Sequence, residues 1–148
     1  MKKYSILFCM IVLLSCSSST NNTIMEEDNN NPILIAQGWL GYNSVFEQQN
    51  MVITNSDEWD ALLTAMQSIN ENILDTFTET TIDFESYTII AAFDIKNSTT
   101  SVNITSVEEN DSTIVVNIDN LQQGITQDVA HPYHIVKIKK SNKPIVFQ

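Results

Sequence analysis

The chain is 148 residues long and sets 18 acidic residues against seven lysines and no arginine, a formal net charge of −11. So acidic a surface excludes nucleic acid, which binds through neutralised phosphates, and the lack of arginine excludes a bidentate phosphate clamp. The three glycines, Gly38, Gly41 and Gly124, are too scattered for a P-loop or a GxGxxG fingerprint, and no G-x-S-x-G elbow is present.

Lys2-Lys3 opens the chain, an apolar run from Ile6 to Leu14 follows, and Leu13-Leu14-Ser15-Cys16 closes it. A basic start, a short apolar core and a small exit residue describe a secretory signal peptide. Ending at Cys16, it looks like a bacterial lipoprotein signal: residues 1–15 are removed and Cys16 becomes an acylated amino terminus. The run is too short to span a bilayer, which takes about 20 residues. Two or more acyl chains would hold the protein on a membrane, at roughly 0.8 kcal/mol per buried CH₂. The alternative is ordinary secretion with Cys16 incidental. Cys9 would leave with the signal, so no disulfide is expected within a monomer. Losing Lys2 and Lys3 leaves five lysines against the 18 acidic residues, a balance of −13. The lipid on Cys16, rather than this surface, is therefore the expected membrane contact. The expected location is the cell envelope, in the outer membrane where Ser17 follows the anchor, on its periplasmic face or at the cell surface.

Residues 16–32 are rich in Ser, Thr and Asn, with Glu26-Glu27-Asp28 as an acidic patch. They have little to bury and read as a flexible tether. The patch also suggests a surface-export signal, although it lies ten residues from Cys16. A single globular domain is expected over 33–148. Ile33 to Ala36 reads as a short strand, Gly38-Trp39-Leu40-Gly41-Tyr42 as a turn with two aromatics, and Met51 to Thr54 as a second strand.

The clearest helix follows. Asn55 caps it, Glu58 completes a capping box, and Trp59, Leu62, Leu63, Met66 and Ile69 form one apolar stripe. Asp57, Glu58 and Asp60 complement the dipole in the first turn. After the polar stretch from Asn70 to Thr81 the period becomes two. Tyr87 to Ile95 reads as a central strand. Val102, Ile104 and Ser106, then Ile114, Val116 and Ile118, mark two half-buried strands. Tyr133 to Lys139 alternates with Ile135 or Val136 inward, and Ile145 to Phe147 is a last strand after Pro144. The fold class is α+β: a mostly antiparallel β-sheet with one main amphipathic helix packed on it.

The densest polar constellation is Asp128-x-x-His131-Pro132-Tyr133-His134. A carboxylate and two imidazoles are zinc-type ligands. Positions i and i+3 of a strand face opposite ways, however, and Pro132 bars a helix. The favoured reading is a proline-marked strand entry with two surface histidines; Asp128, His131 and His134 remain weak metal candidates, and no cofactor is expected. Glu108, Glu109 and Asp111 read as a solvated hairpin turn, lacking the calcium-loop pattern. Trp39 and Tyr42 could form a contact patch, since aromatics are enriched at interfaces.

Met51-Val-Ile-Thr, Glu58-Trp59-x-x-Leu62, Ile82-Asp83-Phe84, Thr88 to Asp94, Pro132-Tyr133-His134-Ile-Val-Lys-Ile-Lys139 and Pro144-Ile-Val-Phe147 together resemble the carboxy-terminal domain of the PrcB family, over residues 51–148. The resemblance implies a lipoprotein that serves as an accessory subunit of a surface protease complex, without catalytic residues of its own. Trp39, Pro132 and Tyr133 are candidate partner-binding residues, because strand edges and aromatics offer a way to dock a partner by strand addition, in what reads as a non-enzymatic, lipid-anchored binding or assembly module. The alternatives are a small metal- or ligand-binding protein or enzyme using His131 and His134, or a protease inhibitor presenting a loop such as 120–126.

Overall fold

The computed structural model describes residues 31–41, 44–97, 101–119 and 129–148. Cys16, the tether up to residue 30, Tyr42, Asp128 and the loop 120–126 lie outside the described residues. Among the described residues, eight strands and one main helix follow in order: β1 (Ile33–Leu40), β2 (Gln49–Ile53), α1 (Ser56–Ile69), a 3₁₀ turn (Ile73–Thr76), β3 (Tyr87–Phe93), β4 (Lys96–Asn97), β5 (Asn103–Glu109), β6 (Ile114–Asp119), β7 (Val129–Lys139) and β8 (Ile145–Phe147). The fold is α+β, mostly antiparallel, with α1 packed on the main sheet. The order of that sheet is β1-β7-β3-β2, with β4 also paired to β7, and β5-β6-β8 form a second sheet. The parallel pair is β6 with β8.

Two apolar clusters explain the layering. Ile89, Ala91 and Phe93 of β3 and Tyr133 and Ile135 of β7 face Trp59, Leu62, Leu63 and Met66 of α1. Ile90 and Ala92, with Val136 and Ile138, face Ile104, Val107, Ile114 and Val116 of the second sheet. The main sheet is thus covered on both faces, which is why β3 reads as an unbroken apolar run. The same cover corrects the half-buried reading of β7: Ile135 and Val136 are both buried, one on each face.

α1 begins as its sequence demands. Asn55 is extended (φ −147°, ψ 163°), and its Oδ1 accepts the Glu58 N–H at 3.0 Å. Glu58 reaches back to the Thr54 N–H, one residue further than in the usual reciprocal box. The Trp59 indole N–H donates to the Thr80 carbonyl at 2.7 Å and ties the segment after the 3₁₀ turn to the helix.

Three local expectations change. The turn read at Gly38-Trp39 is strand: β1 runs on to Leu40, because the Tyr133 ring lies against Gly38 from the next strand. A bulge between Ile104 and Ser106 shifts β5 by one residue, so Val107 rather than Ser106 turns inward. Ser106 instead accepts the Asn117 side-chain amide at 2.8 Å. Lastly, Pro132 lies inside β7 rather than at its entry. The register that pairs Phe93 with Tyr133 continues unchanged to Lys96 with Ala130. Between them Asp94 N–H donates to the Pro132 carbonyl at 3.1 Å, but proline has no N–H to return. That missing donor separates β3 from β4.

Candidate functional site

β7 carries the predicted constellation through the middle of the main sheet. His134 faces the second sheet, where its Nδ1 accepts the Ile104 N–H of β5 at 2.7 Å. His131 is three positions away and lies on the helix face with Tyr133, paired to Leu40. The two imidazoles therefore sit on opposite sides of one strand and share no metal between them. Among the described residues no three His, Cys, Asp or Glu side chains cluster as metal ligands. Nor are these surface histidines, since both are 8% exposed. That is a correction with a simple cause: β7 has neighbours on both edges and cover on both faces. Burial pushes the His134 imidazole below its usual pKa, so it stays the neutral acceptor that Ile104 needs.

Tyr133 and Pro132 are also buried, which removes them as partner contacts. The Tyr133 ring packs near Phe93, with centroids 6.3 Å apart, and its hydroxyl lies 3.3 Å from Thr76 Oγ1. Burial raises the phenol above its usual range and keeps it neutral. Trp39 differs: it is 55% exposed, on the sheet face shared with Pro132.

The acidic hairpin is a structural turn. Asn110 Oδ1 accepts the N–H groups of Ser112 and Thr113. Lys143 bonds both the Asn110 carbonyl at 2.6 Å and the Glu109 carboxylate at 2.7 Å. The Glu109 carboxylate thus ties the hairpin to the chain before β8.

Strand order reveals a surface that residue types alone do not. β1 and β2 are the two edges of the main sheet. Along β1 the Ile35 carbonyl is covered by the Thr78 N–H at 2.8 Å. Along β2 the polarity follows from Asp94: its N–H points to β7, so Ala92 and Ile90 do too, and Phe93, Ala91 and Ile89 turn to β2. Met51 and Ile53 therefore complete the ladder to Ala91 and Ile89, while the backbone N–H and C=O groups of Asn50 and Val52 point outward. Among the described residues no strand pairs with them. The side chains of Asn50 and Val52 are exposed beside them.

No family model, no curated protein and no solved structure matches this chain. No helix among the described residues is long and apolar enough to cross a membrane.

Proposed function

We propose that this chain is a lipid-anchored, extracytoplasmic binding module that captures an extended segment of another polypeptide by strand addition at β2. The outward backbone groups of Asn50 and Val52 carry the reading: an exposed strand edge is a template for a further strand. Exposed Val52 would give the added strand an apolar neighbour, and the body of the domain would hold β2 rigid through β3. The signal-like segment ending at Cys16 supports anchoring through a lipid, and residues 17–32 would supply the reach. The likeness to PrcB suggests a surface or periplasmic protease as the partner and a non-enzymatic role for this chain. The buried positions of His131 and His134, on opposite faces, lend the metal-dependent alternative no support.

A photo-crosslinking residue at position 52 of the full-length, membrane-anchored protein tests this directly. One recurring adduct, lost when Asn50, whose N–H also points outward, is replaced by proline, is expected. Absence of an adduct, or capture that ignores the proline, overturns the reading.

A further inference from the structure

We propose, building on strand addition at β2, that the captured segment turns once and pairs a second strand with β8, so that one looped stretch of the partner extends both sheets. The two edges lie on the same side of the molecule. Gln48 and Asn50, at the start of β2, and Phe147 and Gln148, at the end of β8, line a shared gap of about 150 Å³ between the layers. Across the molecule the layers are laced together instead: Gln37 of β1 donates to Asn103 Oδ1 of β5, and the Ile104 N–H to His134 of β7.

β8 is an edge with its own outward backbone. The Ile114 N–H donates to the Pro144 carbonyl at 2.9 Å, the Gln148 N–H to the Val116 carbonyl at 2.9 Å and the Ile118 N–H to the Gln148 carbonyl at 2.8 Å. Positions 144, 146 and 148 therefore face β6, and the N–H and C=O groups of Ile145 and Phe147 point outward. Among the described residues no strand pairs with them. Charge is the usual device that blunts an edge, yet neither Gln49–Ile53 nor Ile145–Phe147 carries any, in a chain of net charge −11.

The second sheet is also one strand short on this side. Four strands of the main sheet, β1, β7, β3 and β2, lie side by side, against three in the second. Asn50 and Val52 stand opposite Ala92 and Ile90, whose side chains face the second sheet. Val52 shares that face and is still 37% exposed, because β5, β6 and β8 stop short of it. A further strand beside β8 would lie over Val52 and bury it. β2 begins and β8 ends at the shared gap, so the two run in opposite directions. A segment that turns once is antiparallel to both, with its arms about 10 Å apart, the spacing of stacked sheets. A second copy of the chain would set another −11 against this one; the occupant is a neutral or basic segment of a different polypeptide.

The test places a photo-crosslinking residue at position 52 or at position 146 of the full-length, membrane-anchored protein, both exposed sites, and maps each adduct by peptide mass spectrometry. The expected result is one partner protein joined through two stretches of its sequence, one for each position, separated by a single turn. Asn50→Pro should lose both adducts, since both arms belong to one segment. An adduct at 52 with none at 146 leaves strand addition at β2 standing and overturns the second strand. An adduct at 146 alone, or none at either position, refutes both. Mapping to one and the same stretch, to two different proteins or to a second copy of this chain overturns the looped segment, as does an adduct at 146 that survives Asn50→Pro.

Discussion

Gly38 and Tyr133 face each other across β1 and β7, and the tyrosine ring occupies the space where a side chain on Gly38 would stand. A Cβ at position 38 would meet the Tyr133 hydroxyl oxygen at 3.0 Å and Cζ at 3.2 Å. The glycine is there for room. Its neighbour fills the strand's missing packing, an aromatic laid over a glycine. Gly38→Ala is expected to push the ring off Thr76 and cost about 1–3 kcal/mol, the usual range for overpacking. Tyr133→Phe removes the nearest clashing atom, so Gly38→Ala should cost less in that background. Thermal or denaturant unfolding of the four proteins in the cycle checks it. Purely additive losses would mean that the ring and the glycine do not interact as described.

The His134–Ile104 bond makes a prediction about pH. Burial lowers the folded-state pKa of His134, whereas the unfolded chain titrates near 6.5. Below about 6.5 the unfolded state therefore binds more protons, and stability falls with pH until the folded-state pKa is passed. Above about 6.5, the unfolded value, the contribution is fully present. His134→Asn keeps an acceptor for the Ile104 N–H without a titrating group, so its melting temperature should decline less between neutral pH and the onset of carboxylate protonation. His134→Ala leaves a buried donor unmet and should lose about 1–3 kcal/mol at neutral pH, a deficit that shrinks as the parent protein weakens at lower pH. An unchanged pH profile in His134→Asn would show that His134 is not the group responsible.

The sequence carried the helix and the class of fold because those depend on local pattern. Asn55, Glu58 and the Trp59–Met66 stripe announce α1 within a dozen residues, and the alternation at Ile114, Val116 and Ile118 announces β6. It did not carry strand order. The apolar run of β7 resembles that of a half-buried strand until one knows that β1 and β3 flank it and that β5 lies above, and so the burial of His131 and His134 was invisible. Gly38 looked like a turn because glycine marks turns far more often than it marks the footprint of a tyrosine nearly a hundred residues away. The edge at Asn50 and Val52 belongs to no motif. It exists because β2 is the last strand of its sheet, and a single chain's residues do not state that.

Trp59 should be the costliest single truncation in α1. It is 1% exposed, donates its indole N–H to the Thr80 carbonyl, and lies 6.1 Å from the Phe77 ring, centroid to centroid. Trp59→Ala should destabilise by about 3–5 kcal/mol. Trp59→Phe retains most of the packing and loses the bond, for about 1–3 kcal/mol with the carbonyl left unpaired. Asn55→Ala removes the cap alone and should cost about 1 kcal/mol. Denaturant unfolding that ranked the cap above the tryptophan would contradict the packing described.

The β2 edge separates folding from binding more cleanly than any core position can. The Val52 N–H points away from β3, so Val52→Pro removes no ladder bond, and Met51 before it is already in the extended conformation a proline requires. The same ring denies a docking strand one backbone donor and obstructs its approach. Val52→Lys leaves the backbone intact and sets a charge on the edge, the device by which natural sheets discourage pairing. Both variants should unfold within about 1 kcal/mol of the parent chain, in keeping with exposed positions. Both should also lose partner capture from the native membrane, Val52→Pro more completely than Val52→Lys. Trp39→Ala, at the opposite edge strand, serves as the control and should retain capture. Should Trp39→Ala abolish capture while Val52→Pro leaves it whole, the docking strand belongs on β1 and the assignment to β2 is wrong.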